Sequence, residues 1–218
     1  MPGQTHPQVP DALVLAPEIA LARARAHEVT GPARVLFALA AAARLSGPVL
    51  WIQPGWTPER LMGDGVSDWL EPGRLILARA RTAIDILWTA EEALRSGAVP
   101  LVVAELAALP TLTATRRLHL AAEAGMRDGA PLALLLTPEP GGVSGIETRW
   151  RLAPAPGWAV DEKARWLLTR LRARMAPERS WEMAARGDRL VPVRPRDRPP
   201  APAAAGRPAP AAPQGSPP

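Results

Sequence analysis

Short apolar runs alternating with helical patterns constrain this chain more than any other feature. "ALVL" (12–15), "PVLWIQ" (48–53), "RLILAR" (74–79), "AVPLVVAEL" (98–106), "LALLLT" (132–137) and "IETRWRL" (146–152) read as strands. The central ones are apolar throughout, as strands covered on both faces must be. Helical patterns fall at 17–27, 33–45, 82–96, 113–126 and 161–175. The third sets Ile84, Leu87, Trp88, Glu91 and Leu94 at helical spacing and stops at Ser96-Gly97, a usual C-terminal signal. This alternation predicts βαβ units, hence an α/β domain with a mostly parallel sheet flanked by helices.

The 218 residues, 47% of them apolar, suffice for one domain with a real core. The expected organisation is a flexible N-terminus over 1–10, an α/β domain over 11–190 and a tail over 191–218. That domain divides into a core at about 26–152 and a C-terminal helical extension at about 158–190. The tail, "VPVRPRDRPPAPAAAGRPAPAAPQGSPP", is low-complexity Pro/Ala with almost nothing to bury, so disorder is expected there. Of the formal charge of +5, the tail's Arg194, Arg196, Arg198 and Arg207 against Asp197 supply +3, leaving +2 for the rest. A concentrated basic face for nucleic acid is therefore not evident from the total.

The chain has no cysteine, which excludes a disulfide framework, a thiolate zinc site and a cysteine nucleophile. "MPGQTHPQVPDALVL" has no basic segment followed by an apolar one, and no apolar run approaches the roughly 20 residues that span a bilayer. A soluble, cytoplasmic protein is expected.

The stretch "HEVTGPARVLFALAAAARL" (27–45) has the outline of a phosphate loop, a glycine turn feeding a helix. Such a loop needs backbone N–H groups around the anion, a lysine to neutralise it and a hydroxyl for magnesium, in the spacing G-x-x-x-x-G-K-[ST]. After Gly31, Pro32 removes a donor. No second glycine follows, Arg34 is the nearest cation, and Val35 and Leu36 occupy the hydroxyl position. The chain's one lysine, Lys163, lies far downstream. At the neighbouring strand ends "QPGW" offers no carboxylate, and Ala104 is followed by Glu105. ATP hydrolysis is not expected. Glu105 is left with two readings, a displaced magnesium ligand or a strand-end acid that caps or pairs.

"EEALRSGAVPLVVAELAAL" (91–109) resembles the helix, turn and Walker-B strand of the RecA recombinase family. "HEVTGPA", "GPVLWIQPGW", "EEALRSGAVPLVVAEL", "TRRLHLAAEAG" and "GIETRWRL", in that order from about Ala26 to Leu152, resemble the ImuA family, RecA-like proteins of bacterial inducible-mutagenesis operons. The resemblance, to a short form lacking a Walker A motif, implies a RecA-like core acting in the SOS response to DNA damage. It implies translesion synthesis beside an ImuB-like polymerase adaptor, RecA and an error-prone DNA polymerase, with nucleoid association on damage. RecA's ATP site carries over poorly: its phosphate-loop Lys and Ser/Thr fall in the run 33–36, its catalytic glutamate in Gln53-Pro54-Gly55, and its Walker-B aspartate at Ala104. The connections corresponding to its DNA-binding loops, "AALPTL" (107–112) and "PEPGGVSG" (138–145), contain no Lys, Arg or aromatic residue, so they offer neither charge nor a stacking platform for single strands.

"VDEKARWLLTRLRARMA" (160–176) reads as an amphipathic helix with an apolar stripe from Ala164 to Met175, edged by Lys163, Arg165, Arg170, Arg172 and Arg174. These cations are candidate contacts for an acidic partner or for DNA, against the plainer reading of a packed helix with snorkelling arginines. Arg116 and Arg117 follow Thr113, read as a helix N-cap. Trp51 and Trp88 are expected in the core. Trp56 and Trp69 are expected to be exposed and to anchor a partner. The histidines His6, His27 and His119 have no ligand spacing, and Ser144 in "GGVSG" lacks nucleophile-turn spacing; neither a metal nor a cofactor is expected.

The reading that results is a non-catalytic RecA-like adaptor that works through protein contacts. Its alternatives are a degenerate nucleotide-binding switch or weak ATPase using Arg34 and Glu105, and a single-stranded-DNA-binding accessory protein using the basic segment 163–174.

Overall fold

The computed structural model describes residues 12–127, 129–155, 165–174 and 176–193. The expectations for 1–10, for Lys163 and for the tail beyond 193 lie outside the described residues.

A hairpin of β1 (Ala12–Ala16) and β2 (Ile19–Ala22) opens the fold. Then follow β3 (Ala26–Thr30), α1 (Arg34–Ala43), β4 (Val49–Pro54), the short α2 (Gly63–Ser67), β5 (Leu75–Ala80), α3 (Ala83–Ser96), β6 (Leu101–Glu105), α4 (Leu112–Ala124) and β7 (Leu132–Leu136). The chain closes on β8 (Thr148–Pro154), β9 (Arg165–Ala173), β10 (Arg179–Arg186) and β11 (Arg189–Pro192). The main sheet has nine strands in the order β11-β10-β9-β8-β3-β7-β6-β4-β5. From β8 to β5 all neighbours are parallel, and β9, β10 and β11 add an antiparallel meander.

Strand alternation divides the core into two layers. Val29, Trp51, Val103, Leu134 and Trp150 face α1, whereas Ile52, Val102, Ala104 and Leu135 face α3 and α4. Helix α1 is itself covered: Phe37 through Ala42 are buried, and Leu13, Ala16, Ile19 and Leu21 of the hairpin join their cluster. The run of alanines explains this, because small side chains let a helix be packed from both sides. Among the described residues no such cover lies over the outer side of α3 and α4, where Ile84, Trp88 and Leu120 are exposed.

Local signals account for the helix ends. Thr82 and Asp85 form a capping box, and Gly97 stops α3 at φ 66°. Helix α4 is capped by Thr111, whose hydroxyl accepts from the Ala114 N–H at 3.2 Å; the cap expected at Thr113 sits two residues inside.

Two helical expectations are overturned. Segment 17–27 holds β2 and the start of β3, with turns at 17–18 and 23–25 between the strands. Its alternation of Ile19 and Leu21 with Ala20 and Ala22 is a strand period, and the positive φ of Glu18 and Ala24 breaks any helix. The described part of 158–190 is the β9–β11 meander and not a helical extension. "RWLLTRLRA" carries a period-2 pattern as well as a helical one. Pairing decides between them: Trp166, Leu168 and Arg170 oppose Pro154, Leu152 and Trp150 of β8. Among the described residues no helix is long and apolar enough to cross a membrane.

Candidate site at the carboxyl ends of the strands

In open α/β sheets ligands bind outside the carboxyl ends of the strands, where successive connections run to opposite sides. Here that place is the end of β3, flanked by β7 and β8, and Gly31 to Arg34 turn there into α1. Gly31 sits at φ +96°, and a Cβ on it would lie 2.4 Å from the Leu152 carbonyl oxygen. The turn is stitched inward. The Ala33 N–H donates to Leu152 O at 3.1 Å and the Arg34 N–H to Gly31 O at 3.2 Å, while Pro32 has none to give. The Arg34 guanidinium folds back onto the same Gly31 carbonyl at 3.3 Å. A phosphate cradle needs such donors pointing outward and free; at Pro32, Ala33 and Arg34 they are absent or engaged.

Glu105 ends β6, beside β4. Its Oε1 accepts from Trp51 Nε1 at 2.6 Å and from Gln53 Nε2 at 2.9 Å, and both donors are buried. It therefore ties two strands together and satisfies the indole N–H of a core tryptophan. Ala104, the residue before it, is buried against the α3/α4 layer and brings no acid.

The fully buried carboxylate of Glu28 is a polar centre that the sequence reading passed over. Its Oε1 accepts from Thr137 Oγ1 at 2.9 Å and Gly142 N at 2.8 Å, and its Oε2 from Val143 N at 3.0 Å and Arg149 Nε at 2.5 Å. Arg149 Nη2 also donates to Val143 O at 3.0 Å. The connection 138–145 is thus clamped to the sheet by an ion pair and by two of its own backbone N–H groups. Gly141, at φ +78°, passes within 2.8 Å of Glu28 Oε1 at its Cβ position, so a side chain there has no room. The available signal was a single acid in one strand, "AHEVT", and arginines in another, "TRWRL", each in otherwise apolar surroundings.

The histidines are structural. His27 is buried, with Nδ1 2.7 Å from Thr148 Oγ1 and Nε2 2.8 Å from Ala22 O. Burial lowers its pKa to about 4. His119 accepts from the Ala26 N–H at 3.3 Å and lies 3.1 Å from Gly145 O, and burial lowers its pKa as well.

The proposed partner contacts fare unevenly. Trp56, in the turn after β4, is 49% exposed, whereas Trp69 is 9% exposed and belongs to the α1-side core. Trp88, expected inside, is 59% exposed. Helix α3 packs through Ile86, Ala90 and Leu94, a stripe at four-residue spacing that turns Ile84 and Trp88 outward. Of the cations, Arg165 pairs with Glu182 at 2.9 Å and Arg174 approaches Glu147 at 3.4 Å. Arg170 lies over the rings of both Trp150 and Trp181, at 5.8 and 5.3 Å from their centroids, and donates to Pro177 O. Arg172 is exposed on β9. These arginines do not form one helical face. Arg117, by contrast, bridges to Glu91 of α3 at 2.8 Å.

No family model matches the chain, and no curated protein matches it.

Proposed function

We propose that this chain is an ImuA-type, RecA-like adaptor of damage-induced translesion synthesis, acting through protein contacts without nucleotide chemistry. The observation that carries the reading is the turn at Gly31. It keeps the course of a phosphate loop, strand to glycine turn to helix, at the switch point of a doubly wound sheet. The N–H groups of Ala33 and Arg34 are spent on Leu152 and Gly31, Pro32 has none, and Glu105 is spent on Trp51 and Gln53. An ImuB-like polymerase adaptor, RecA and an error-prone polymerase are the partners the resemblance implies. The single-strand-binding alternative loses its main support, since the described part of 163–174 is a strand whose Arg165 and Arg170 are engaged within the fold.

Calorimetric titration with magnesium and ATP tests the absence of nucleotide chemistry. No heat of binding at millimolar nucleotide is expected; micromolar binding that disappears in Arg34→Ala would replace this reading with a nucleotide-regulated switch.

A further inference from the structure

The two outer layers of the sheet are treated differently. Helix α1 is roofed by the hairpin and β11, but α3 and α4, besides the buried Ile86, Leu94 and Leu118, carry large apolar side chains on a side that no described residue covers: Ile84 is 77%, Trp88 59% and Leu120 64% exposed. Ile84 and Trp88 are one helical turn apart, and Arg116 and Leu120 repeat that spacing on α4. The two helices lie side by side, tied by Arg117 to Glu91. Both cross over between parallel strands, so they run in the same direction.

The charges around these side chains are unequal in their freedom. Asp85 is used in the capping box with Thr82. Glu91 receives Arg95 and Arg117, and Glu92 receives Arg95. Arg81 and Arg116 make no hydrogen bond or ion pair among the described residues. The unspent charge on this surface is positive.

From this we infer that the α3/α4 surface is a docking site for an acidic amphipathic helix of a partner protein. A helix fits better than an added strand, because the backbone of α3 and α4 is internally paired and presents no sheet edge. Apolar side chains at intervals of three and four on the incoming helix meet Ile84, Trp88 and Leu120, with Trp88 as the anchor. Its acidic flanks meet Arg81 and Arg116, which set orientation and speed association. The inference rests on the adaptor reading and gives it a contact surface.

The test is a phage-displayed library of 18-residue helix-forming peptides of mixed charge, selected on the full-length protein, followed by fluorescence polarisation of the enriched peptides. Enriched sequences are expected to be acidic, with apolar residues at intervals of three and four. Their affinity is expected to fall at least tenfold in Trp88→Ala and in Arg116→Glu, to weaken with added salt, and to be unchanged in the distant exposed control Met62→Ala. All three substitutions are at the surface, and unchanged melting midpoints verify folding. No enrichment, enrichment of basic or extended peptides, or affinity indifferent to Trp88→Ala overturns the inference. Concentration-dependent dimerisation abolished by Trp88→Ala also overturns it, by giving the surface to a second copy. Retention of partner proteins by the unaltered chain is measured separately. Retention that persists in Trp88→Ala removes this surface and leaves the adaptor reading standing; no retention by the unaltered chain removes the adaptor reading itself.

Discussion

The backbone N–H of Ala33 points at the carbonyl of Leu152, 3.1 Å away, so the turn that opens α1 is fastened to β8. With the proline before it and the closed Arg34 N–H after it, that bond turns a potential anion site into a structural joint. The joint also holds α1 against β8, where Phe37 stacks on Trp150 at 6.0 Å, and Trp150 in turn meets Trp181 of the meander at 6.1 Å.

Gly31→Ala tests the joint. A methyl group there would stand 2.4 Å from a backbone oxygen at a φ of +96°, and neither can relax cheaply. The expected loss is at least about 2 kcal/mol of unfolding free energy, read as a lower urea midpoint with an unchanged slope.

Glu28 and Arg149 are expected to behave as a coupled pair. Glu28→Gln strands a guanidinium against the sheet, and a loss of about 3 kcal/mol follows from breaking a buried pair on one side. Arg149→Met is expected to destabilise too, and the double variant by clearly less than the sum of the two. A double-mutant cycle by chemical denaturation checks this; strict additivity would show that the pair does not hold the 138–145 connection.

Stability is expected to depend on His27 below neutral pH. Its folded pKa, lowered to about 4 by burial, lies beneath the ordinary 6.5. The unfolded chain therefore takes up a proton between these values while the folded chain does not. Its contribution is full above pH 6.5, declines as pH falls towards 4, and amounts to about 3 kcal/mol across that window. His27→Gln should flatten this part of the stability-against-pH curve, which thermal melts at graded pH would show.

Glu105→Ala separates the two readings of that acid. As a tie between β4 and β6, its loss leaves the buried Trp51 N–H unpaired and costs about 1–3 kcal/mol, visible as a lower melting midpoint. As a magnesium ligand, its loss would instead leave stability intact and change metal-dependent nucleotide binding.

Much of the architecture was legible because βαβ units announce themselves. The all-apolar "PLVV" and "LALLL" can only be covered strands, and Thr82, Asp85, Ser96 and Gly97 mark both ends of α3 locally. The meander was not legible. Trp166, Leu168 and Arg170 satisfy a strand period and a helical one equally, and the deciding information is β8, a dozen or more residues upstream, offering Pro154, Leu152 and Trp150 as partners. The same non-local dependence hid the site's polar centre. Glu28 has meaning only once Arg149 and the amides of Gly142 and Val143, more than a hundred residues away, are brought to it. Trp69 and Trp88 exchanged places for a related reason: composition marks a tryptophan as large and apolar, but the packing stripe of Ile86, Ala90 and Leu94 decides which side of α3 is inside.

The most direct test of the central claim is retention of a purified ImuB-like partner on the immobilised full-length chain, quantified with and without ATP. The partner is expected to be held equally in both conditions and equally by Arg34→Ala. No retention, or retention that requires ATP and is lost in Arg34→Ala, would contradict it.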